Sequence, residues 1–199
     1  MIKKMGFVTK NEGKYYSLKS LLESNKLVEQ LIWLNQIENV IEGDNVHENS
    51  NNKSLEGSKL VDYPVIATDE ALFLDFLPGN EQPGAYVKRM IGDNPTDKEV
   101  INFYSRILKE HENAEGAGRI ITSFSISINS SVVSNMEYVQ ECLFRLPASQ
   151  NVVKGRPLAS LHYINDYGKH YSELNQEQKK SLNDVYNSKI ISFIKSTKI

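Results

Sequence analysis

The stretch Met5-Gly-Phe-Val-Thr-Lys-Asn-Glu-Gly-Lys14 has the pattern of a β-strand, a polar turn and the start of a helix. Its apolar first half predicts a strand, and the apolar residues that follow recur at helical spacing. In such a unit, the backbone amides of the turn and the positive end of the helix attract anions. Thr9 and Asn11 add side-chain donors and Lys14 adds a positive charge. The turn is therefore either an anion site or an ordinary polar turn.

Two acidic residues come shortly after the apolar run 65–67, which has the composition of a buried strand. They are Asp69 and Glu70, and we expect them at the carboxyl end of that strand. Ligands of α/β sheets usually bind at this end of the strands. Magnesium prefers carboxylate oxygens and partners phosphates. Asp69 and Glu70 are thus candidates for a magnesium site, and the alternative is a strand end that only faces solvent.

A second group of carboxylates lies in the polar stretch between residues 38 and 58. The stretch is rich in Asn and Ser, and we expect a loop with a helix inside it. Its first half carries four acidic residues with no Lys or Arg between them, namely Glu38, Glu42, Asp44 and Glu48. They can supply a further metal ligand, or they can form a solvated acidic loop.

Further along the chain, helical and strand patterns alternate. Thr96 and Glu99 have the spacing of a capping box before a helix over residues 97–111, and a short helix is expected over 86–91. Residues 119–129 alternate apolar residues with serines, which predicts a strand with one solvent-exposed face. This strand and residues 138–146 should form a hairpin around a turn at 129–135. With a long C-terminal helix over 175–199, the pattern favours an α/β fold with a mixed sheet.

The composition excludes several classes of protein. The 199 residues include 23 Lys and Arg against 25 Asp and Glu, a net charge of −2, which argues against a chain that coats nucleic acid. No apolar run approaches the roughly 20 residues of a membrane span. The single cysteine, Cys142, excludes an intramolecular disulfide and is expected to be a buried thiol in the reducing cytoplasm. The four histidines lack the helical pairing typical of zinc sites.

Taken in order, these segments resemble the inosine/xanthosine triphosphate pyrophosphatase family. The [ST]-x-N-x-x-K turn of that family is similar to residues 9–14, and its E-N-A-x-x-K-A helix is similar to residues 48–54. Its D-D-S-G-L turn resembles residues 68–72, and its P-G-x-Y loop resembles residues 83–86. Its Y-A-E-M/L segment is similar to residues 171–174. The resemblance extends over nearly the whole chain.

The resemblance implies an elongated mixed sheet flanked by helices, with two lobes of one domain (residues 1–199) around a central cleft, and a homodimer. It implies magnesium-dependent hydrolysis of a nucleoside triphosphate to a monophosphate and pyrophosphate. Asp69 would bind magnesium or activate water, with Glu42 or Glu38 as the second metal ligand. The residues that would bind the phosphates are Thr9, Asn11, Lys14 and Lys179.

The segments by which the family reads the base are not kept. Its phenylalanine-glycine-tryptophan-aspartate run corresponds to residues 156–159, Arg-Pro-Leu-Ala, and its serine-histidine-arginine triplet corresponds to residues 183–185, Asn-Asp-Val. Purines are discriminated by buried hydrogen-bonding groups, so a preference for ITP, dITP or XTP does not follow from the resemblance alone. The candidates for a rebuilt base pocket are Tyr86, Lys88, Arg156 and Asp184. Two alternatives stay open: a non-catalytic homologue that binds a nucleotide or a partner, and a hydrolase of another phosphorylated metabolite.

Overall fold

A mixed sheet of seven strands and four α-helices form the regular structure of residues 1–37, 40–111 and 115–199, the part of the chain that the computed structural model describes. The strands are β1 (Ile2–Val8), β2 (Val28–Leu34), β3 (Val65–Leu74), β4 (Glu115–Ile128), β5 (Ser131–Arg145), β6 (His162–Ile164) and β7 (Lys169–His170). The helices are α1 (Glu12–Ser24), α2 (Val46–Ser58), α3 (Asp97–Glu110) and α4 (Gln176–Ser196). None of these helices is long and apolar enough to cross a membrane.

The strand order is β2-β1-β3-β4-β5-β6-β7. Strand β1 runs parallel to β2 and β3, whereas β6 runs antiparallel to β5 and β7. These pairings confirm the predicted α/β fold with a mixed sheet. The chain divides into two compact units, the first formed by residues 1–70, 121–138 and 184–199 and the second by residues 71–120 and 139–183. That residues 1–199 form one domain stays a prediction.

In the first unit, one face of the sheet is apolar. Strand residues on this face pack against the apolar stripes of α1 and α4 and form the largest buried cluster. The fully or almost fully buried strand residues of the cluster include Met5, Phe7, Ile66, Phe124 and Ile126. Burial of such side chains stabilises a fold by about 1.5–3 kcal/mol each. The apolar face therefore holds α1 and α4 against the strands.

The opposite face of the same strands is covered by α2, and on β4 it is lined by serines. Ser123, Ser125 and Ser127 are fully buried, so the prediction that β4 has one solvent-exposed face is wrong. Helix α2 approaches the sheet closely because Gly57 lacks a side chain. A Cβ atom there would lie 2.6 Å from Val8 Cγ2.

The helix starts follow from short polar side chains. Asn11 caps α1 by accepting a hydrogen bond from the Lys14 amide at 3.1 Å, and Asn45 caps α2 in the same way. The capping box of Thr96 and Glu99 is present at the start of α3, as predicted. Residues 86–91 form hydrogen-bonded turns instead of the predicted helix.

The hairpin between β4 and β5 is confirmed, but its turn is shorter than predicted. Only Asn129 and Ser130 lie outside the two strands, and both have positive φ, 50° and 59°. A two-residue turn with positive φ at both positions matches the right-handed twist of the flanking strands. Strand pairing thus continues through residues that were expected to form a loop.

The second unit has its own core, formed by buried residues that include Leu72, Val100, Leu108 and Leu161. The thiol of Cys142 lies among them and is not in a disulfide. Burial raises the pKa of this thiol to about 12, which keeps it protonated. Cys142 is therefore a buried structural thiol, as predicted.

Candidate active site

Asp69 lies inside β3, not at its carboxyl end as the sequence suggested. Strand β1 pairs with β3 only as far as Val8 opposite Ala67, whereas β3 continues to Leu74. Residues 71–74 are as apolar as residues 65–67, but the polar residues 68–70 interrupt the apolar pattern, so the sequence suggested that the strand ends there. Asp69 is still two residues beyond the last residue paired with β1. It therefore lies next to the level at which β1 ends and the polar turn begins.

Asp69 and Glu70 point to opposite faces of the sheet, because successive side chains of a strand alternate. Asp69 shares a face with Val65 and Ala67 and contacts α2. Glu70 shares a face with Ile66 and contacts Lys14 of α1. The two adjacent carboxylates thus contact two different helices, α2 and α1.

On the α2 face, the ammonium group of Lys53 lies between two carboxylates. Its Nζ is 2.5 Å from Asp69 Oδ1 and 2.7 Å from Glu42 Oε1. The Lys53 side chain is 17% exposed and that of Asp69 is 13% exposed, so solvent screens this contact less than a surface ion pair. The structure therefore brings together two of the acidic residues selected from the sequence, with a lysine between them.

Asn49 fixes the other oxygen of Asp69. Its side-chain amide donates to Asp69 Oδ2 at 2.9 Å and to the Gly43 carbonyl at 3.0 Å, and its oxygen accepts from the Gly43 amide at 2.7 Å. Asn49 is fully buried, so each of these bonds replaces one to water that the side chain has lost. The carboxylate of Asp69 is consequently held from both sides, by Asn49 and by Lys53.

The buried face of α2 is polar, and it is fastened to β4 by hydroxyl groups. Ser54 donates to the Asn51 carbonyl at 3.0 Å and contacts the hydroxyls of Ser125 at 2.8 Å and Ser127 at 2.7 Å. A hydroxyl has one donor and two acceptor sites, so these three bonds satisfy it fully. One turn earlier, Ser50 contacts the Ser123 hydroxyl at 2.9 Å. These bonds fix the helix that carries Asn49 and Lys53.

The polar turn after β1 is held from within and from the neighbouring strand. The Asn11 amide donates to Thr9 Oγ1 at 3.1 Å, and the Asn11 side chain caps α1. The indole of Trp33 donates to the Thr9 carbonyl at 2.7 Å, and its ring stacks on Tyr15 with centroids 4.9 Å apart. The strand-turn-helix arrangement predicted from the sequence is therefore present, with the amide end of α1 at the turn.

Lys14 projects from the first turn of α1 to Glu70, with 3.1 Å between Nζ and Oε1. Together with the contacts on the α2 face, two lysines meet three carboxylates: Lys14, Lys53, Glu42, Asp69 and Glu70. This set carries a net charge of −1. A polyanion that approaches this part of β3 therefore meets more negative than positive charge from these five side chains, and a cation bound with it would reduce the repulsion.

Other site residues selected from the sequence belong to the second unit. Tyr86 and Lys88 lie in the turn region after β3 and are exposed, and Arg89 stacks on the Tyr86 ring at 4.4 Å. Arg156 precedes a short 3₁₀ helix, Pro157–Ser160. Lys179 in α4 lies 5.7 Å from the centre of the Tyr171 ring. In this unit, burial and the neighbouring His170 lower the pKa of His162 to about 4.

Two further selected residues have different outcomes. Asp184 lies on α4 in the first unit and is exposed. Glu38 lies outside the residues that the structure describes. Glu42 is thus the acidic residue of the loop that the structure places beside Asp69, because both contact Lys53.

Three residues of the site, Lys53, Asn49 and Trp33, were not among the candidates from the sequence. Lys53 and Asn49 fall on the K and N of the E-N-A-x-x-K-A resemblance, so a signal for them existed. Glu70 was a candidate together with Asp69, but the structure places it against Lys14 on the other face of the sheet. Trp33 carried no signal, because its hydrogen bond joins residues 24 positions apart.

The residues around Asp69 fit a hard divalent cation. The carboxylates of Asp69 and Glu42 both contact one positive charge, the ammonium group of Lys53, so their oxygens are close enough together to share a cation. Within residues 1–37, 40–111 and 115–199, no three His, Cys, Asp or Glu side chains form a metal-binding group. Magnesium typically needs only one or two carboxylates, together with water and substrate phosphates. The donor set therefore suits magnesium bound together with a phosphorylated ligand.

Comparison with known proteins gives a consistent result. The model of the Ham1 family matches residues 5–186. The dITP/XTP pyrophosphatase of Halalkalibacterium halodurans is 25% identical over 183 residues, which cover 90% of this chain and 92% of that protein. Inosine triphosphate pyrophosphatase 2 of Trypanosoma cruzi is 40% identical over 85 residues, 43% of this chain and 41% of that protein.

Solved structures agree in fold. A HAM1 protein from Coxiella burnetii superimposes with a TM-score of 0.76 at 18% identity, covering 96% of this chain and 100% of that one. The Ham1 protein of Staphylococcus aureus gives a TM-score of 0.68 at 20% identity, covering 96% and 99% of the two chains. At these identities the likeness concerns the fold.

Proposed function

Because this chain belongs to the Ham1 family, we propose that it is a nucleoside triphosphate pyrophosphohydrolase. It cleaves between the α- and β-phosphates and releases a nucleoside monophosphate and pyrophosphate. The two relatives named as pyrophosphatases support this reaction, and the resemblance identified in the sequence is confirmed by the family match. The observation that carries the proposal in the structure is the contact of Lys53 on α2 with both Asp69 of β3 and Glu42 of the preceding loop.

Pyrophosphatases of this family are generally divalent-metal dependent, and we assign Mg²⁺ to Asp69 and Glu42. Magnesium would neutralise charge on the phosphates and polarise the bond to be cleaved. The net charge of −1 on the five paired side chains supports this assignment, because a polyanion alone would be repelled. The Lys53 ammonium contacts carboxylate oxygens of Asp69 and Glu42, and it can contact a phosphate oxygen of the substrate in the same way.

Asp69 is the proposed catalytic residue. A carboxylate near the scissile phosphate can orient water and accept its proton. The hydrogen bond from Asn49 to Oδ2 limits rotation of the carboxylate and keeps Oδ1 toward Lys53. Asn49 thus acts as a positioning residue, since it works through Asp69 and does not itself need to touch the substrate.

The polar turn is the proposed phosphate-binding element. Thr9 and Asn11 present polar side chains and Lys14 presents a charge at the amide end of α1, where an anion is stabilised. Charge stabilisation of this kind is the main contribution of a protein to phosphoryl transfer. Lys179 of the second unit is proposed as a further phosphate ligand.

The nucleotide is proposed to be a non-standard purine triphosphate such as ITP, dITP or XTP. The names of the relatives support this class, while the residues at 156–159 and 183–185 differ from the base-reading motifs. Tyr86, Lys88, Arg156 and Asp184 are the proposed contacts of an altered base pocket. A homodimer in the cytoplasm is proposed from the resemblance, and the free, buried Cys142 supports a reducing compartment.

Product analysis tests the reaction. The purified protein is incubated with ITP, dITP, XTP, ATP and CTP, with Mg²⁺ or with EDTA, and nucleoside monophosphate, pyrophosphate and inorganic phosphate are measured separately. We expect monophosphate and pyrophosphate in equal amounts, only with Mg²⁺, and fastest from the non-standard purines. Release of inorganic phosphate in place of pyrophosphate contradicts the reaction, and absence of turnover on every nucleotide favours the non-catalytic alternative.

Replacement of the catalytic carboxylate tests the site. Asp69→Asn should lower kcat by about 10²–10⁴-fold, the usual range for loss of a general base. Asp75→Asn is the matched control, because Asp75 follows the same strand but makes an exposed pair with Arg119. If both variants keep wild-type kcat, Asp69 is not the catalytic residue.

A further inference from the structure

Glu70 is an acidic residue where the motif that this segment resembles has a serine. Residues 68–72, Thr-Asp-Glu-Ala-Leu, align with D-D-S-G-L, and the serine falls on Glu70. The side chain lies on the α1 face of β3, with Oε1 3.1 Å from Lys14 Nζ. A carboxylate therefore faces the lysine that is proposed to bind phosphate.

This carboxylate changes the charge of the site. On the α1 face Glu70 offsets the charge of Lys14, and over both faces of β3 the two lysines and three carboxylates sum to −1. A phosphate oxygen in contact with Lys14 would lie close to Glu70, because both would contact the same ammonium group. Two like charges within about 6 Å, half shielded from water, repel strongly enough to alter affinity by about tenfold.

We propose that Glu70 is a specificity-determining residue that makes the site reject polyphosphates that arrive without a divalent cation. When no ligand is bound, its carboxylate holds Lys14. A free polyphosphate has to displace this carboxylate and remain beside it. A polyphosphate complexed with a divalent cation carries less negative charge and is repelled less. The inference rests on the proposed function, because it assigns Lys14 to a phosphate group.

Calorimetric titration with inorganic pyrophosphate tests the inference without turnover. Dissociation constants are measured for the wild-type protein and for Glu70→Gln, once in EDTA and once in excess Mg²⁺. We expect Glu70→Gln to bind metal-free pyrophosphate about tenfold more tightly, whereas binding of the magnesium complex changes less than about threefold. The ratio of the two constants should therefore fall.

Two further variants test whether the change in affinity is due to the charge of Glu70. Glu70→Ser removes the charge without placing an amide at the site and should shift the ratio in the same direction. Glu56→Gln is the matched control, because Glu56 is also partly exposed and also pairs with a lysine, Lys59, at 2.5 Å. Thermal denaturation of each variant establishes that it is folded.

The outcomes separate this inference from the proposed function. Equal tightening under both conditions, no tightening in EDTA, or the same shift in Glu56→Gln overturns it. If neither the wild type nor Glu70→Gln binds metal-free pyrophosphate, it is also overturned. A protein that shows the expected shift but releases no pyrophosphate from nucleotides supports the role of Glu70 and contradicts only the proposed reaction.

Discussion

The two faces of the sheet in the first unit hold their helices by different means. On one face, side chains such as Phe124 and Ile126 pack against α1 and α4 without direction. On the other face, α2 is attached through serine hydroxyls, whose bonds to Ser125 and Ser127 require defined distances and angles. Each face also delivers one lysine to β3, Lys14 from α1 and Lys53 from α2.

The difference indicates which helix is placed most accurately. An apolar interface tolerates small shifts and repacking, whereas a saturated hydroxyl network fixes one register. Helix α2 carries Asn49 and Lys53, both of which contact the proposed catalytic Asp69. We therefore expect substitutions on the α2 face to affect catalysis and stability together, and those on the α1 face to affect them separately.

Among substitutions that compare the two faces, the largest effect is expected at the lysine of the α2 face, Lys53, and its counterpart is Lys14 of the α1 face. Lys53→Met should lower kcat about 10²-fold, as for loss of a donor to transition-state charge, and should also destabilise the protein, since Asp69 and Glu42 lose their shared cation. Lys14→Met should raise KM and change the unfolding free energy by less than about 1 kcal/mol, because its partner Glu70 is 42% exposed and the pair is partly screened by solvent. Steady-state kinetics and urea unfolding measure both quantities, and equal effects of the two variants would remove the distinction between the faces.

The next effect concerns Asn49. Asn49→Ala should cost about 2–4 kcal/mol of unfolding free energy, because it abolishes three buried hydrogen bonds, and should lower kcat about tenfold through Asp69. The matched control is Asn52→Ala, which removes a single exposed bond to the Ile41 carbonyl. A wild-type kcat in Asn49→Ala would show that the bond to Asp69 has no positioning role.

A smaller effect separates hydroxyl bonding from packing. Ser54→Ala should destabilise by about 1–3 kcal/mol, since Ser125 and Ser127 lose their buried acceptor. The triple replacement of these serines by alanine should recover part of the loss, because no buried hydroxyl is then left without a partner. Ile126→Val on the apolar face should cost about 0.5–1.5 kcal/mol and leave kcat unchanged.

If the triple variant is less stable than Ser54→Ala, the expected recovery is contradicted. The serine hydroxyls would then stabilise α2 by more than the cost of leaving buried hydroxyls without partners. Comparison of kcat between Ser54→Ala and Ile126→Val, at matched loss of stability, shows whether the position of Lys53 depends on the polar face. Equal kcat in the two variants would contradict this dependence.

The smallest effect is expected at Trp33. Trp33→Phe keeps a ring against Tyr15 but loses the donor to the Thr9 carbonyl, so KM should rise about two- to fivefold with little change in kcat. Because Trp33 is the single tryptophan, wild-type fluorescence should change when magnesium pyrophosphate binds at the turn. Tyr16→Phe is the control, since Tyr16 is exposed and only tilted against the indole. Constant fluorescence on binding would place the phosphate away from this turn.

Interactions between residues close in the sequence were predictable. The strand-turn-helix around Thr9 and Asn11 and the capping box of α3 depend on bonds between residues two or three positions apart. The hairpin of β4 and β5 also followed from alternation, although its turn was placed over too many residues. Asp69 and Glu42 were selected because acidic residues in polar segments are recognisable as metal ligands.

The burial of the serine face could not be predicted in this way. A strand that alternates Ile and Ser looks half exposed, and α2 looks like a polar loop helix, because each seen alone lacks an apolar partner. Their hydroxyls meet across 71–73 positions, and only that meeting makes both faces buried. Likewise, the extension of β3 past Asp69 depends on which strands lie beside it.

The amino-acid sequence by itself determined the α/β class, the family, the polar turn and the acidic residue at the centre of the site. It did so because local hydrogen bonding and hydrophobic periodicity act over a few residues. The tertiary structure decided that Asp69 is held by Asn49 and Lys53, that Glu70 faces Lys14, and that Trp33 supports the turn. These are contacts between distant segments, and their formation depends on how the helices and strands pack.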